Sequence, residues 1–213
     1  MMDVIDLLLT AVASYLIGSI PTAYLLGKWL KGIDIREHGS GNVGATNAFR
    51  VLGKGPGIIV LIVDIIKGVG PVLLAGVFHA QVPGRILAAI MAVCGHNWTC
   101  FLNFRGGKGI ATTLGALIGL TVVLPDIRLA VLFCVLGWIL CFLVTAYVSV
   151  SSIFAAILLP VLMIIFSADI SIVVLSIVLC LFVVLRHRPN IQRLFKGQEH
   201  KVSLPFHPRP RRG

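Results

Sequence analysis

Two glycine-rich stretches of this sequence combine residue types that bind phosphate or carboxylate groups. In the first, residues 39–50 (GSGNVGATNAFR), three glycines allow backbone N–H groups to approach an anion closely. Hydroxyl, amide and guanidinium side chains add donors beside them. The candidate ligands are Ser40, Gly41, Asn42, Gly44, Thr46, Asn47 and Arg50. A glycine-rich turn that only joins two helices is the alternative, and the stretch is not a Walker loop because it lacks the Gly-Lys-Ser/Thr ending.

The second stretch, residues 95–113 (GHNWTCFLNFRGGKGIATT), places a histidine before another glycine-rich basic turn. The turn leads into an apolar segment that is predicted to be a helix. A helix N-terminus with unpaired N–H groups and a nearby lysine is suited to binding an anion. The candidate residues are His96, Gly106, Gly107, Lys108 and Gly109. A packed, hydrogen-bonded histidine is the ordinary alternative for His96.

Polar residues also interrupt the second half of the chain. Ser149, Ser151 and Ser152 form a hydroxyl-rich break before an apolar block. They are candidate substrate-binding residues, and helix capping is an equally good interpretation. His187, Arg188 and Asn190 follow the last apolar block directly and are further candidate site residues, with Arg188 a candidate substrate-binding residue. The Pro/Arg-rich end, from about residue 200 to 213, is predicted to be a disordered basic tail that contacts lipid headgroups or sets topology.

The elements that hold these residues are predicted to be membrane-spanning helices. The chain of 213 residues is 58% hydrophobic and only 12% charged, about half the charged fraction of soluble domains. Its apolar blocks have lengths suited to crossing a bilayer. We predict an all-α, polytopic membrane protein with one domain over residues 1–213 and seven spans. The spans cover about residues 4–30 (kinked near Gly18, Ser19 and Pro21), 58–78, 86–102, 110–124, 129–147, 153–166 and 170–185.

The basic residues orient these spans. With seven spans and an external N-terminus, all eighteen lysines and arginines except Lys67, Arg85 and Arg128 lie at or beside the cytoplasmic face. The C-terminus and every polar stretch described above then lie on that face. Because the charge occurs in alternate loops and not on one soluble surface, nucleic acid is not an expected partner.

Acidic and cysteine residues limit the chemistry further. Only Asp34, Glu37 and Glu199 lie near the predicted cytoplasmic face outside the spans, which is too few for a two-metal centre. We predict no metal, and the five cysteines are predicted to be reduced packing residues. Asp64 and Lys67, three residues apart in the second span, are predicted to form a structural ion pair, although intramembrane charges can also be functional.

Three motifs carry a resemblance to a known family. They are S-G-N-x-G-A-T-N-x-x-R from Ser40, G-H-x-x-x-x-F-x-x-F-x-G-G-K-G-x-A-T from Gly95, and H-R-x-N-I-x-R-L-x-x-G-x-E from His187 to Glu199. In this order they resemble the bacterial, membrane-embedded, acyl-phosphate-dependent glycerol-3-phosphate acyltransferases. The resemblance covers essentially the whole chain apart from the Pro/Arg-rich end.

The resemblance implies transfer of a fatty acyl group from acyl phosphate to the 1-hydroxyl of sn-glycerol 3-phosphate, the first acylation of phospholipid synthesis. It implies no cofactor, a monomer in the bacterial inner membrane, a link to the enzyme that makes acyl phosphate, and contact with membrane lipid. The second motif is linked with glycerol 3-phosphate. Ser40, Arg50, Lys108, His187 and Asn190 match catalytic or substrate-binding positions, and Glu199 matches a structural one.

Two questions stay open at the level of sequence. The base is either His187 or a phosphate of the substrate, and a covalent acyl intermediate on Ser40 is possible but not required. A non-enzymatic carrier or channel for phosphorylated metabolites would use the same anion-binding loops. Carriers hold polar sites near the bilayer midplane, whereas this chain concentrates them at one predicted face, which favours an enzyme.

Overall fold

The structure, a computed structural model, describes residues 3–77, 81–166 and 169–203. The described residues are helical and contain no strand. The α-helices are α1 (Val4–Ser19), α2 (Thr22–Lys31), α3 (Ala45–Val51), α4 (Lys54–Leu74), α5 (Val82–Asn97), α6 (Ile110–Thr121), α7 (Arg128–Thr145), α8 (Val148–Phe166), α9 (Ile170–Arg186) and α10 (Arg188–Phe195). Short 3-10 helices lie at Ile35–Glu37, Cys100–Leu102 and Pro125–Ile127.

Within the described ranges, five helical segments are long and apolar enough to cross a membrane. They are Val4–Lys31, Lys54–Leu74, Val82–Leu102, Pro125–Thr145 and Val148–Phe166. The α9–α10 pair, bent by 55°, makes a sixth if it counts as one span. The remaining predicted span corresponds to α6, which has only 12 residues. The all-helical membrane architecture is confirmed, while seven crossings and the orientation of the termini stay predictions.

The chain divides into two compact units, Met1–Arg128 (unit 1) and Leu129–Gly213 (unit 2). The single domain expected from sequence therefore stays a prediction. Phe78, the expected end of the second span, and residues 204–213 of the expected tail lie outside the described residues.

In unit 1, close helix packing depends on glycine. A Cβ atom at Gly18 of α1 would overlap the carbonyl oxygen of Ala92 in α5, and one at Gly68 of α4 would overlap that of Thr112 in α6. Glycine lets the two backbones of each pair meet, which is a common means of joining helices in membranes. Both pairs involve helices that border the second polar stretch.

The kink predicted in the first span is confirmed. The helix ends at Ser19 and resumes at Thr22, because Pro21 has no N–H to donate to the helix. The carbonyl oxygen of Ile20 at this break accepts a hydrogen bond from the Lys67 ammonium group of α4, at 2.8 Å. The side chain from α4 thus supports the irregular backbone between α1 and α2.

In unit 2, the predicted break before the sixth span is wrong. Helix α8 begins at Val148, so the three serines lie in its first turns and not ahead of it. The Ser151 and Ser152 hydroxyls donate to the carbonyl oxygens of Tyr147 and Val148, at 2.9 and 2.8 Å. Because these hydroxyls bond to the preceding helical turn, they are satisfied inside a helix. The serines therefore did not mark a break before α8.

Candidate active site

The first polar stretch forms a loop that Asn47 holds in place. Asn47 lies on α3 and is fully buried. Its Nδ2 donates to the carbonyl oxygens of Ile35 and His38, at 3.3 and 3.0 Å, and its Oδ1 accepts the backbone N–H of Ser40 at 2.9 Å. One amide side chain therefore fixes three points of the loop that carries Ser40. The predicted contact of Asn47 with substrate stays a prediction.

Two glycines give this loop its path. Gly39 and Gly41 have φ angles of 63° and 71°, in the left-handed region that side-chain-bearing residues seldom adopt. A Cβ atom at Gly39 would also overlap Oδ1 of Asn47. Gly44 caps α3 at its N-terminus, and the exposed Arg50 lies in the last turn of that helix. The sequence indicated a turn throughout this stretch and missed α3.

Beside the loop, Asp34 and Arg36 form a bidentate ion pair. Arg36 Nε lies 3.0 Å from Asp34 Oδ1, and Nη2 lies 2.7 Å from Oδ2. The hydrogen bond from Arg36 lowers the pKa of Asp34 to about 2. The guanidinium of Arg36 also lies over the Tyr24 ring, 5.3 Å from its centre. Asp34 is thus a fixed anion that braces the loop, and it is not available as a base near neutral pH.

The second polar stretch lies against the end of α5. The N–H groups of Gly106 and Gly107 donate to the carbonyl oxygens of Asn97 and His96, at 3.2 and 2.9 Å. A Cβ atom at Gly107 would overlap the His96 imidazole. The turn can therefore follow this path only with glycine at that position, and it delivers Lys108, half-buried, to the start of α6.

Asn97 is a residue of this region that the sequence analysis missed. It is fully buried, and neither Nδ2 nor Oδ1 has a hydrogen-bond partner among the described residues. A Cβ atom at Gly109, whose φ is 75°, would lie 2.7 Å from Asn97 Oδ1. A buried amide without partners is costly, so Asn97 joins the candidate binding residues at the N-terminus of α6. Its position directly after the candidate His96 was the feature of the sequence that could have pointed to Asn97.

The two loops of unit 1 share one hydrophobic core. Leu102, in the 3-10 helix of the second stretch, belongs to the same buried cluster as Ile35, Val43 and Ala48 of the first. The structure thus brings together two glycine-rich polar stretches that are far apart in sequence. Burial of these apolar side chains favours the association of the two stretches.

In unit 2, Glu199 orients Asn190. Asn190 Nδ2 donates to Glu199 Oε1 at 2.6 Å, and Arg193 Nε donates to Oε2 at 2.7 Å. Burial alone would raise the pKa of Glu199, but these hydrogen bonds outweigh burial and lower it. Asn190 is buried, and its Oδ1 has no hydrogen-bond partner in the described part of the chain. The amide oxygen can therefore accept a hydrogen bond from a ligand.

His187 is held at the end of α9. Its Nδ1 lies 2.8 Å from the carbonyl oxygen of Val183. A carbonyl oxygen only accepts, so Nδ1 carries the hydrogen and Nε2 is the basic nitrogen of the neutral ring. Arg188, next along the chain, is exposed and begins α10. The sequence analysis did not predict this short helix.

The serines of α8 are buried. Ser152 accepts a hydrogen bond from Trp138 Nε1 at 3.2 Å, in addition to its own bond to the helix backbone. Nearby, the backbone N–H of Val202 donates to the carbonyl oxygen of Ala146 at 2.9 Å, so the first residues of the expected tail contact the chain between α7 and α8. Disorder of residues 204–213 stays a prediction, as does a substrate contact for Ser149, Ser151 and Ser152.

Helices of membrane-spanning length joined by two glycine-rich, basic loops define a class of protein, the all-helical integral membrane protein. Comparison with known proteins names the family. Residues 8–197 match the family model described as glycerol-3-phosphate acyltransferase. The chain belongs to this family, as its motifs indicated.

Curated relatives agree over most of their length. The chain is 48% identical over 196 residues to glycerol-3-phosphate acyltransferase 2 of Moorella thermoacetica, covering 92% of this chain and 97% of the relative. It is 44% identical over 204 residues to a glycerol-3-phosphate acyltransferase of Desulforudis audaxviator, covering 95% and 99%.

Solved structures of PlsY, an integral membrane glycerol 3-phosphate acyltransferase, share the fold. The glycerol 3-phosphate form of that protein is 36% identical, with a TM-score of 0.84, and covers 92% of this chain and 96% of its own. Its lysophosphatidic acid form is 37% identical, with a TM-score of 0.80, and the match covers 92% of this chain and 95% of that structure's chain.

Proposed function

We propose that this protein transfers a fatty acyl group from acyl phosphate to the 1-hydroxyl of sn-glycerol 3-phosphate, giving lysophosphatidic acid and inorganic phosphate. The observation that carries the proposal is the likeness over 92% of the chain to a transferase solved in glycerol 3-phosphate and lysophosphatidic acid forms. The reaction is the first acylation of phospholipid synthesis. Its donor comes from an enzyme that makes acyl phosphate.

The bond changes in this reaction need little help from an acid. The hydroxyl oxygen of glycerol 3-phosphate attacks the acyl carbonyl carbon, and the bond from that carbon to the phosphate oxygen breaks. Phosphate leaves readily because its final pKa is about 6 by analogy with phosphoesters. The protein must instead neutralise two phosphate groups and hold the hydroxyl within attacking range.

Residues of unit 1 supply the phosphate contacts in this proposal. Arg50 and Lys108 provide positive charge, and the glycine-rich loops provide backbone N–H groups. Gly44 and Gly109 supply these N–H groups. Gly41, Gly106 and Gly107 set the path of the loops instead, because their N–H groups donate to carbonyl oxygens of the chain. Ser40 stands on the loop that Asn47 fixes. The polar side chains of Asn42, Thr46 and His96 complete the binding residues.

We assign hydroxyl positioning and proton acceptance to Asn190 and His187 because both match the third motif of the family. Oδ1 of Asn190, oriented by Glu199, accepts a hydrogen bond from a substrate hydroxyl. The proton released from the attacking hydroxyl goes to Nε2 of His187 or to an oxygen of a substrate phosphate. The pH dependence of kcat in His187→Gln distinguishes these acceptors. If a substrate phosphate is the base, the pH profile of the variant matches that of the wild type. If His187 is the base, the variant loses the part of the profile that depends on the histidine.

The membrane arrangement is part of the proposal. We place seven spans in the bacterial inner membrane, with an external N-terminus and the residues named above at the cytoplasmic face, in a monomer. Single cysteines near Ser40, Lys108, Ser151 and His187, introduced into a cysteine-free background, should resist an impermeant thiol reagent added to intact cells. Labelling near Lys108 with protection near His187 would contradict the seven-span arrangement.

An assay with purified protein tests the reaction. Palmitoyl phosphate and radiolabelled glycerol 3-phosphate should give labelled lysophosphatidic acid, and Lys108→Ala should reduce the rate strongly without loss of folded protein. Palmitoyl-CoA in place of palmitoyl phosphate should give no product above background. A thiolate is a poorer leaving group than phosphate, and none of the six histidines has an aspartate five residues later to activate the hydroxyl.

A further inference from the structure

A buried ion pair in α4 has no part in the function proposed above. The Lys67 ammonium nitrogen lies 2.9 Å from Asp64 Oδ1, and the two side chains are 5% and 2% exposed. The sequence predicted this pair as structural, and the pair itself is confirmed. Removing two charges from water costs as much as their attraction returns, so a buried pair is weak evidence for a stabilising role. The role of the pair must therefore be inferred from the other groups that the two side chains contact.

Lys67 reaches across to the broken first span. Its ammonium group donates to the carbonyl oxygen of Ile20 at 2.8 Å, next to Pro21. With its contact to Asp64, this gives the ammonium two oxygen partners inside the protein. Lys67 is consequently anchored, and it fixes the carboxylate of Asp64 from one side.

Asp64 faces the second glycine-rich loop. The same Oδ1 atom lies 3.8 Å from Nδ1 of His96, whose side chain is 5% exposed. This distance is longer than a hydrogen bond, so the interaction is electrostatic, and it favours a ring that carries its hydrogen on Nδ1 and directs that N–H to the carboxylate. Between buried groups such an interaction is only weakly screened by solvent.

His96 in turn shapes the loop. Its carbonyl oxygen accepts the Gly107 N–H at 2.9 Å, and its imidazole packs where a Gly107 side chain would be. The ring therefore packs against the backbone of Gly107, directly before Lys108. Rotation of His96 would leave space under Gly107 and free the turn to move.

We propose that Asp64 and Lys67 are positioning residues for the second glycine-rich loop, residues 106–109, to which the proposed function assigns glycerol 3-phosphate, and that they act through the orientation of His96. The inference rests on the proposed function, since it assigns a consequence to the phosphate contacts of that loop. A purely structural pair would join α4 to the first span and affect only the amount of folded protein. A positioning pair also sets the affinity for one of the two substrates.

The test uses a double variant, Asp64→Leu/Lys67→Met, in the full-length protein. Replacing both charges by apolar side chains leaves no buried unpaired charge, so the helices can still pack. Asp64→Asn/Lys67→Met, which also removes both charges and changes little volume at residue 64, serves as a second variant if the first does not fold. Thr10→Val is the matched control, because Thr10 is a buried polar residue of α1 whose hydroxyl has no partner among the described residues.

The readouts are the KM values for glycerol 3-phosphate and for palmitoyl phosphate, measured on folded protein. We expect a rise of about tenfold in the KM for glycerol 3-phosphate, an unchanged KM for palmitoyl phosphate, and wild-type values in Thr10→Val. A wild-type KM for glycerol 3-phosphate in the Asp64 variants, or an equal rise in both KM values, would overturn the inference. Absence of lysophosphatidic acid with the wild-type protein would instead refute the proposed function, so the two failures are distinguishable.

Discussion

Oδ1 of Asn47 accepts the backbone N–H of Ser40 at 2.9 Å, while Nδ2 of the same amide binds two carbonyl oxygens of the preceding chain. The loop that carries Ser40 is thus closed onto helix α3 by one buried side chain. A loop held at both ends needs little further ordering when a ligand binds to it.

Asn47→Ala should therefore reduce activity although Asn47 itself need not touch substrate. The variant leaves one N–H and two carbonyl groups without their partner, at a cost of about 1–3 kcal/mol for each buried group that water cannot reach. We expect a fall in kcat/KM of at least about tenfold and a lower temperature of thermal inactivation. Wild-type kinetics in this variant would show that the loop does not depend on Asn47.

Gly107→Ala should inactivate the protein by displacing the second loop. The added methyl group would overlap the His96 imidazole, so the ring or the turn must move. Gly70→Ala is the matched control, because a Cβ atom at this position of α4 meets nothing within 4 Å. Alanine favours a helix over glycine by about 0.5–1 kcal/mol, so the control should be at least as stable as wild type. Equal activity of the two variants would contradict the packing described for Gly107.

Loss of single polar side chains should reduce turnover without unfolding the protein. For Ser40→Ala, Arg50→Ala, Lys108→Ala and His187→Ala, each lost hydrogen bond to a charged group is worth about 1.5–3 kcal/mol. If the bond is made in the transition state, the rate falls by about 10- to 150-fold. Near-normal turnover of Lys108→Ala, measured beside an unchanged elution profile in size-exclusion chromatography, would remove Lys108 from the phosphate site.

Glu199 should stabilise the protein in a pH-dependent way. Its pKa is lowered in the folded protein from an ordinary value of 4.5. A group with a lowered folded pKa contributes stability that is fully present above the unfolded value and is lost as the pH falls through the folded value. We expect Glu199→Gln to lower the thermal-inactivation temperature at pH 7, and the difference from wild type to shrink progressively below about pH 4.5. A difference that is the same at both ends of this range would contradict the role of the carboxylate.

The sequence predicted the spans because apolar blocks and Pro21 act locally. A block of apolar residues forms a helix in a membrane, and a proline without an N–H interrupts it. The ends of the helices could not be predicted in the same way where polar residues are part of the helix. Ser151 lies within α8, where its hydroxyl donates to the backbone of the preceding turn, and composition does not reveal that choice.

The candidate site could be predicted only as a set of motifs. The resemblance gave Lys108 and His187, but the roles of Asn47 and Asn97 depend on which backbone groups fold back onto them. The approach of Asp64 to His96 joins two helices and leaves no local pattern in the sequence. These relationships are set by tertiary packing, so they required the structure.

The central claim is transfer of the acyl group, and the ratio of its two products tests it most directly. Inorganic phosphate and lysophosphatidic acid should be measured together in one reaction of purified protein with palmitoyl phosphate and glycerol 3-phosphate. Transfer predicts one phosphate for each lysophosphatidic acid formed, and no phosphate above background when glycerol 3-phosphate is left out. Phosphate release at a comparable rate without glycerol 3-phosphate, or no lysophosphatidic acid in its presence, would contradict the account.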